Sequence, residues 1–523
     1  MAREKFITYF IFASVLLNGC TKLDETFRGD LTSAQVGADS ANTAALLQGV
    51  YNSLEFPFTS QLFIWPLMEL PTDEAIFPTR ATDWDDNGVW RSLHQHKWLP
   101  NNERIKEAFK TLNGISFAAT DLLRYNPKPQ EQAEARFIRA WVMYLLLDLF
   151  DQVPYRDPGE PLVQAARVRT GTEALDYIIS EINAVEKDLP EGPPGRANKY
   201  AAKTLLMKCY LNKAVYTNRA VPVFQPADMD KVISLADQII NSGKFLFSRN
   251  YFDNFAPDNT NIGKENIFTL LNTPGSTPDN FVWFTWGFVL HYNQVPNFVF
   301  NGVSTLSNFY DKFEPIDKRR GMVYTAAGAP PNPGNHINIG FLIGQQYDYY
   351  TGAPLSCRIP AGLPLIFTPE VKNIELGKNL ETTGIRPLKY FPDYPNYYSP
   401  GNDFVFFRFT DVLLMKAEAI LRGGTGTNAG PYGRTALEIV NFIRTDTSRG
   451  ASAFSSLNTD QLLDERGREF WCEGWRRQDL IRFKAFLLPF QEKEYVSDPK
   501  YLIYPIPDEQ LAVNPYLKQN PGY

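Results

Sequence analysis

Between Glu131 and Phe150, Phe137, Ala140, Trp141, Tyr144, Leu145 and Leu149 recur near three- and four-residue intervals, the spacing that lays side chains along one stripe of a helix. The spacing predicts a helix there, ended by Asp151-Gln152-Val153-Pro154. The same period predicts helices over residues 44–55, 101–125, 172–189, 199–216 and 228–242, separated by Pro- and Gly-rich breaks, and again over 408–421, 434–445 and 459–486. Residues 56–100 read as a looped segment rich in Trp and Pro. From 244 to 400 the helical period is lost among short β-prone runs, aromatics, Gly and Pro.

This pattern predicts a mainly α fold in which successive helix pairs bury their faces against one another, a tetratricopeptide-like scaffold without the exact 34-residue consensus. Because helices resume after the irregular region, residues 44–523 are expected to form a single domain, with a scaffold at 44–243 and 401–523 and a loop-rich ligand-binding region at 244–400. Loops carried on rigid helices are where binding residues concentrate.

The first residues follow another pattern. A basic-containing start, Met1 to Lys5, precedes an apolar run from Phe6 to Leu17 and then Asn18-Gly19-Cys20. Roughly 12 apolar residues are too few for a hydrocarbon core that needs about 20. The run therefore reads as a signal peptide over residues 1–19. Gly19-Cys20 resembles the lipobox of bacterial lipoproteins, which makes Cys20 the expected lipid attachment and residues 20–43 a tether.

Composition narrows the function. The 523 residues are 44% hydrophobic and carry a net charge of -6, so a large core is available and no basic field favours a nucleic-acid backbone. Removing residues 1–19 takes away Arg3, Lys5 and Glu4 and leaves the balance acidic. The cysteines, Cys20, Cys209, Cys357 and Cys472, are too scattered for a zinc site or a disulfide framework. Aromatics make up 14% of the chain, many of them in loops.

Glu469 and Glu473 stand four apart in GREFWCEGWRRQDLIRF and could be the acid and base of a surface hydrolase. Arg466, Arg468, Arg476, Arg477 and Arg482 surround them in sequence, and paired carboxylates stay ionised, which favours scaffold electrostatics. Asp83-Trp84-Asp85-Asp86-Asn87-Gly88 repeats the opening of a calcium loop, but the twelfth position is His94 where a bidentate Glu is needed; a polar surface turn is expected instead. The glycine-rich run 423–430 lacks the Lys-Ser/Thr ending of a phosphate loop and reads as a linker. His94 and His96 would share one side of a strand, without a further ligand at a metal spacing. No catalytic set, metal or cofactor is therefore expected. What remains is aromatic. An aromatic plane can stack on the C–H face of a sugar while neighbouring polar groups take its hydroxyls. Trp84, Trp283 and Trp286 are the expected platforms, with Tyr292 and Tyr350 in support and Asp83 as a hydroxyl acceptor.

Several stretches together resemble the SusD/RagB family of Bacteroidetes nutrient-uptake lipoproteins. They are Cys20 with the acidic Lys22-Leu23-Asp24-Glu25, EARFIRAWVMYLLLDLFDQVPYR at 134–156, FRFTDVLLMKAEAIL at 407–421, ERGREFWCEGWRRQDLIRFK at 465–484 and YPIPDEQLAVNPYLKQNPGY at 504–523. The resemblance runs from end to end of the chain in the family's order and leaves 244–400 unmatched. It implies a helical, SusD-like, lipid-anchored protein at the outer-membrane surface. Such a protein binds an oligosaccharide or polysaccharide, or in the RagB branch peptides, and caps a SusC-like TonB-dependent transporter. It implies no catalysis.

Overall fold

The computed structural model describes residues 42–276, 279–377, 380–428 and 430–523; the signal segment, Cys20 and nearly all of the tether lie outside the described residues. Residues 42–523 form one compact unit. Its helical scaffold begins with α1 (Thr43–Asn52), α2 (Glu103–Leu123), α3 (Pro129–Phe150), α4 (Gly171–Val185), α5 (Lys199–Thr217) and α6 (Pro226–Ile240). Each of α2 to α6 packs on the next, and α1 lies against α2 and α3. After the irregular region come α7 (Phe409–Leu421), α8 (Ala436–Thr445), α9 (Thr459–Phe470) and α10 (Arg476–Arg482). Helix α7 packs against both α6 and α8, so the scaffold closes across the interruption. Among the described residues no helix is long and apolar enough to cross a membrane.

Local chemistry sets the helix limits. Asn102 caps α2 by accepting the Arg104 and Ile105 N–H groups, and Asn198 caps α5 through Tyr200 and Ala201. Helix α3 starts on Pro129 and ends at Asp151 in the left-handed region. It is buried nearly all round, as its weakly amphipathic sequence requires. Trp141 on this helix stacks on Phe58 at 4.8 Å and meets Phe406 at 4.5 Å, tying α3 to the strand before α7. That strand, Phe404–Arg408, pairs antiparallel with Asn266–Leu270. The chain terminus seals the end of α3: Asn520 donates to the Phe150 and Tyr504 carbonyls and accepts from Gln152.

Two expectations change. The helix expected over 459–486 is two helices, because Cys472 and Gly474 adopt left-handed backbone between them. Tertiary contacts capture that break: Trp65 Nε1 donates to the Cys472 carbonyl at 3.1 Å and the Gly474 N–H donates to Glu69. The segment 56–100, expected as loop, holds short helices at Glu55–Thr59, Trp65–Glu69 and Val89–His94. His94 and His96 therefore share no strand. Both are buried with their rings bonded to backbone, His94 to Leu70 and Gln491 and His96 to Pro71.

Candidate functional site

Three distant segments converge on one groove. Short pairings bring them together: Ala75–Ile76 lies antiparallel to Ser304–Thr305, and Thr79–Arg80 runs parallel to Ile374–Glu375. An excursion leaves at Phe288 and returns at Gly302, whose N–H donates to the Phe288 carbonyl at 2.7 Å; it delivers Tyr292 and Phe298. The turn after Arg80 delivers Asp83 and Trp84, and the segment after Cys357 delivers Arg358.

The groove has two lobes. One, of about 580 Å³, is lined by residues including Arg80, Asp83, Trp84, Tyr292, Asn301 and Arg358. The other, of about 530 Å³, shares Asp83, Trp84, Tyr292 and Arg358 and extends over Asn297 and Phe298. Both volumes fall in the range of small-ligand sites. Phe298 is 63% exposed, so its ring is open to a ligand in the second lobe.

Trp84 is held in place at a conformational cost. Its φ of 61° lies in the left-handed region, rare for a bulky side chain. Its indole N–H donates to the Phe300 carbonyl at 3.3 Å, and its ring packs on Phe77 at 4.7 Å. One edge is thus anchored while the residue stays half-buried at the groove.

Tyr292 carries Arg358 on its face, the guanidinium carbon 3.3 Å from the ring centre. Arg358 is oriented from behind. Its Nε donates to Glu381 Oε1 at 3.1 Å and its backbone N–H to Oε2 at 2.8 Å. His291 contacts the same Oε2 at 2.8 Å through Nε2, while its Nδ1 accepts the Asn293 N–H. Burial opposes the Glu381 charge, but His291 and the Arg358 backbone outweigh it and hold the carboxyl down at about 2. Burial also lowers the His291 pKa, against the pull of Glu381, so the neutral ring donates from Nε2. Beneath the groove Arg80 is buried, donating to the Asn301, Gly302 and Thr383 carbonyls and to Ser304. Desolvation lowers its pKa to about 10.

Of the residues singled out from sequence, Asp83, Trp84 and Tyr292 meet at the groove. Trp286 does not: it is fully buried against Tyr397, so its ring has no face to offer a ligand. Trp283 is half-buried, stacked on Phe284 at 4.1 Å, and supports the wall from behind without lining either lobe. Tyr350 stands elsewhere, over Tyr394 at 5.1 Å. In the Asp83–Gly88 turn Asp85 is engaged by Arg91 and Asp86 by the Trp90 indole, while the Asp83 carboxylate faces the groove.

A family model described as the SusD family matches residues 239–523. This chain belongs to the SusD family. The starch-binding protein SusD of Bacteroides thetaiotaomicron is 24% identical to it, the match covering 87% of this chain and 84% of that one. A SusD superfamily protein from Parabacteroides distasonis shares the fold with a TM-score of 0.69 at 19% identity, over 92% of this chain and 98% of the other. A structure described as a laminarin-binding SusD-like protein gives a TM-score of 0.66 at 16% identity, over 92% and 99%.

The SusD-family segment 465–484 also settles the paired carboxylates. Glu469 is buried between Arg319, Arg408 and Arg449, and Glu473 between Arg408 and Lys389. The electrostatic reading holds, but with different partners. The arginines adjacent in sequence pair elsewhere: Arg466 with Asp411 and Asp479, Arg468 with Glu465, Arg476 with Asp73, Arg477 with Asp148 and Arg482 with Glu418. Burial opposes the Glu469 charge, and the three guanidiniums override it and hold the carboxyl far below its usual range.

Sequence reasoning missed Arg358, Glu381, Arg80 and Phe298. Phe298 and Arg358 sit among the Pro-rich loops that supplied the aromatic candidates, but no period marks them.

Proposed function

We propose that this protein binds a nutrient glycan, an oligosaccharide or polysaccharide, in the groove of Trp84, Tyr292 and Arg358 at the cell surface, and delivers it to a SusC-like TonB-dependent transporter. The observation that carries the reading is the groove itself. Two lobes joined at Asp83, Trp84, Tyr292 and Arg358 offer aromatic faces beside carboxylate, amide and guanidinium groups, the mixture that sugar rings with hydroxyl rims need. Family membership and relatives described as starch-binding and laminarin-binding support the same ligand class.

Cys20 is the proposed lipid attachment, residues 20–43 the tether, and residues 44–523 the single ligand-binding domain. No catalytic step belongs to this reading. Glu469 and Glu473, the pair weighed as acid and base, are locked in buried ion pairs away from the groove. Peptide capture on the same fold is the competing reading, since peptides are also held by mixed polar and apolar pockets.

Parallel screening against a glycan array and an oligopeptide library tests the choice. Glycan binding that the Trp84→Ala variant loses is the expected result; binding confined to peptides would contradict it. Cys20→Ala is expected to move the protein out of the membrane fraction when no transporter is present, and persistent membrane association would remove the lipid anchor from the account.

A further inference from the structure

The fork of Arg358 is free. Its Nε and backbone N–H are both committed to Glu381, yet among the described residues neither Nη1 nor Nη2 has a hydrogen-bond partner, and the side chain is 45% exposed. The group lies on the Tyr292 ring and borders both lobes of the groove. A guanidinium fixed at one edge, with its two terminal nitrogens open, is a two-pronged donor shaped for a planar carboxylate.

The ground beneath it is also positive. Arg80 lines the groove and Arg386 lies behind it, bonded to Asn301; both are buried and neither makes an ion pair among the described residues. Arg386 donates to the Asn301 side chain through Nε and Nη2, to Ser304, and to the Thr383 and Gly384 carbonyls. All of these partners are neutral. Elsewhere in the molecule buried arginines such as Arg319, Arg408 and Arg449 each meet carboxylates. Glu375 acts on both floor arginines without an ion pair to either, so it offsets at most one charge. Asn301, 2% exposed, lines the lobe of about 580 Å³; Arg386 holds its Oδ1, and its Nδ2 has no partner among the described residues. The acidic groups at the rim oppose this field weakly: Glu381 is already engaged by Arg358 and His291, and Asp83 is exposed and screened by water.

The geometry points to an acidic glycan, one bearing carboxylates on its sugar rings, with a carboxylate seated on the Nη1/Nη2 fork of Arg358 above the Arg80–Arg386 floor. This deepens the glycan reading and rests on it. Arg358 serves as the specificity-determining contact, Glu381 and His291 as positioning residues that fix its fork, and Tyr292 as the ring on which it rests.

Calorimetry with the purified full chain tests this against tetrasaccharides containing galacturonate, glucuronate or mannuronate, against their carboxyl-reduced counterparts, and against sulfated neutral tetrasaccharides. At least one uronate ligand is expected to bind tenfold or more tighter than its reduced form, and raising salt should weaken the acid alone. Arg358→Gln should cut that preference by about tenfold to a hundredfold, the range of a hydrogen bond to a charged group, and Arg358→Lys should restore it only in part. Reduced forms that bind as tightly as the acids, or a preference that survives Arg358→Gln, would overturn the acid reading and leave glycan binding standing. A sulfated ligand preferred over every uronate would overturn the carboxylate assignment. Binding of acidic peptides with none of any glycan would overturn both this inference and the reading beneath it.

Discussion

Trp84 lies so close to Gly302 that a Cβ atom at position 302 would stand 2.6 Å from its ring. The platform's depth is thus set by a residue without a side chain, just before the Ser304–Thr305 strand. Gly302→Ala removes no group that could touch a ligand, yet must displace Trp84 or Phe77, whose ring would stand 2.8 Å away. A loss of glycan affinity of about tenfold is expected, on the order of 1.4 kcal/mol, with the fold retained by circular dichroism. Unchanged affinity would mean that the Trp84 ring position does not matter to binding.

Trp283 and Trp286 separate by burial, the first half-buried and the second fully buried. Trp286→Ala empties a fully buried site and is expected to cost about 3–5 kcal/mol of stability in denaturant unfolding. Among molecules that remain folded, its ligand affinity should be that of the parent. A Trp286→Ala protein of normal stability would contradict the placement of that ring in the core.

Acid should weaken the fold through the buried ion network. Burial opposes the charges of Glu465 and Glu418, but their arginines hold both carboxyls down at about 2. Depressed carboxyls contribute stability that is complete above their ordinary range near 4 and is lost as pH falls through the folded value. Melting temperature should therefore drop steadily from about pH 5 downward. Glu469→Gln leaves Arg319, Arg408 and Arg449 short of a shared carboxylate and should cost about 3–5 kcal/mol at neutral pH. A neutral effect would show that the network is not needed to hold the loop region on α9.

Alkali acts on a different pair. Glu69 and Glu74 are buried close to one another, and neither makes an ion pair among the described residues. Burial raises Glu69 to about 7, and burial followed by the charge of Glu69 raises Glu74 well above the usual range. Raised carboxyls contribute stability that is complete below their ordinary range and is lost as pH rises through the folded value. The pair's contribution should therefore fall as pH rises from the ordinary carboxyl range near 4 through about 7 and beyond. Glu74→Gln removes one of the two titrating carboxyls and its charge beside Glu69, so the decline should flatten. An unaltered alkaline slope in that variant would assign the loss elsewhere.

Where the chain's own periodicity sets the structure, sequence was a good guide. The stripe from Phe137 to Leu149 places α3, and the end-to-end motifs place the family. The break at Cys472–Gly474 was hidden because it is imposed by Trp65 and Glu69, some 400 residues away in sequence. The same limit applies to charge. Arginines beside Glu469 in sequence suggested its partners, whereas folding supplies Arg319, Arg408 and Arg449 from three other elements. At the groove, residue type within a loop was enough to find Asp83, Trp84 and Tyr292. It could not separate them from Trp286, since burial depends on how the loops fold over one another. The Arg358–Glu381–His291 triad joins residues up to 90 positions apart and leaves no local pattern.

Glycan binding is proposed at the Trp84–Tyr292 groove. Titration calorimetry on the wild-type full chain, Trp84→Ala and Tyr292→Ala, using the glycan recovered from the array, tests it most directly. Each variant is expected to lose about tenfold or more in affinity, by analogy with the 1–3 kcal/mol per stacked ring seen when bases stack on aromatic side chains, while keeping its melting temperature close to that of the parent. Both variants binding the glycan with parental affinity would place the site elsewhere on the molecule.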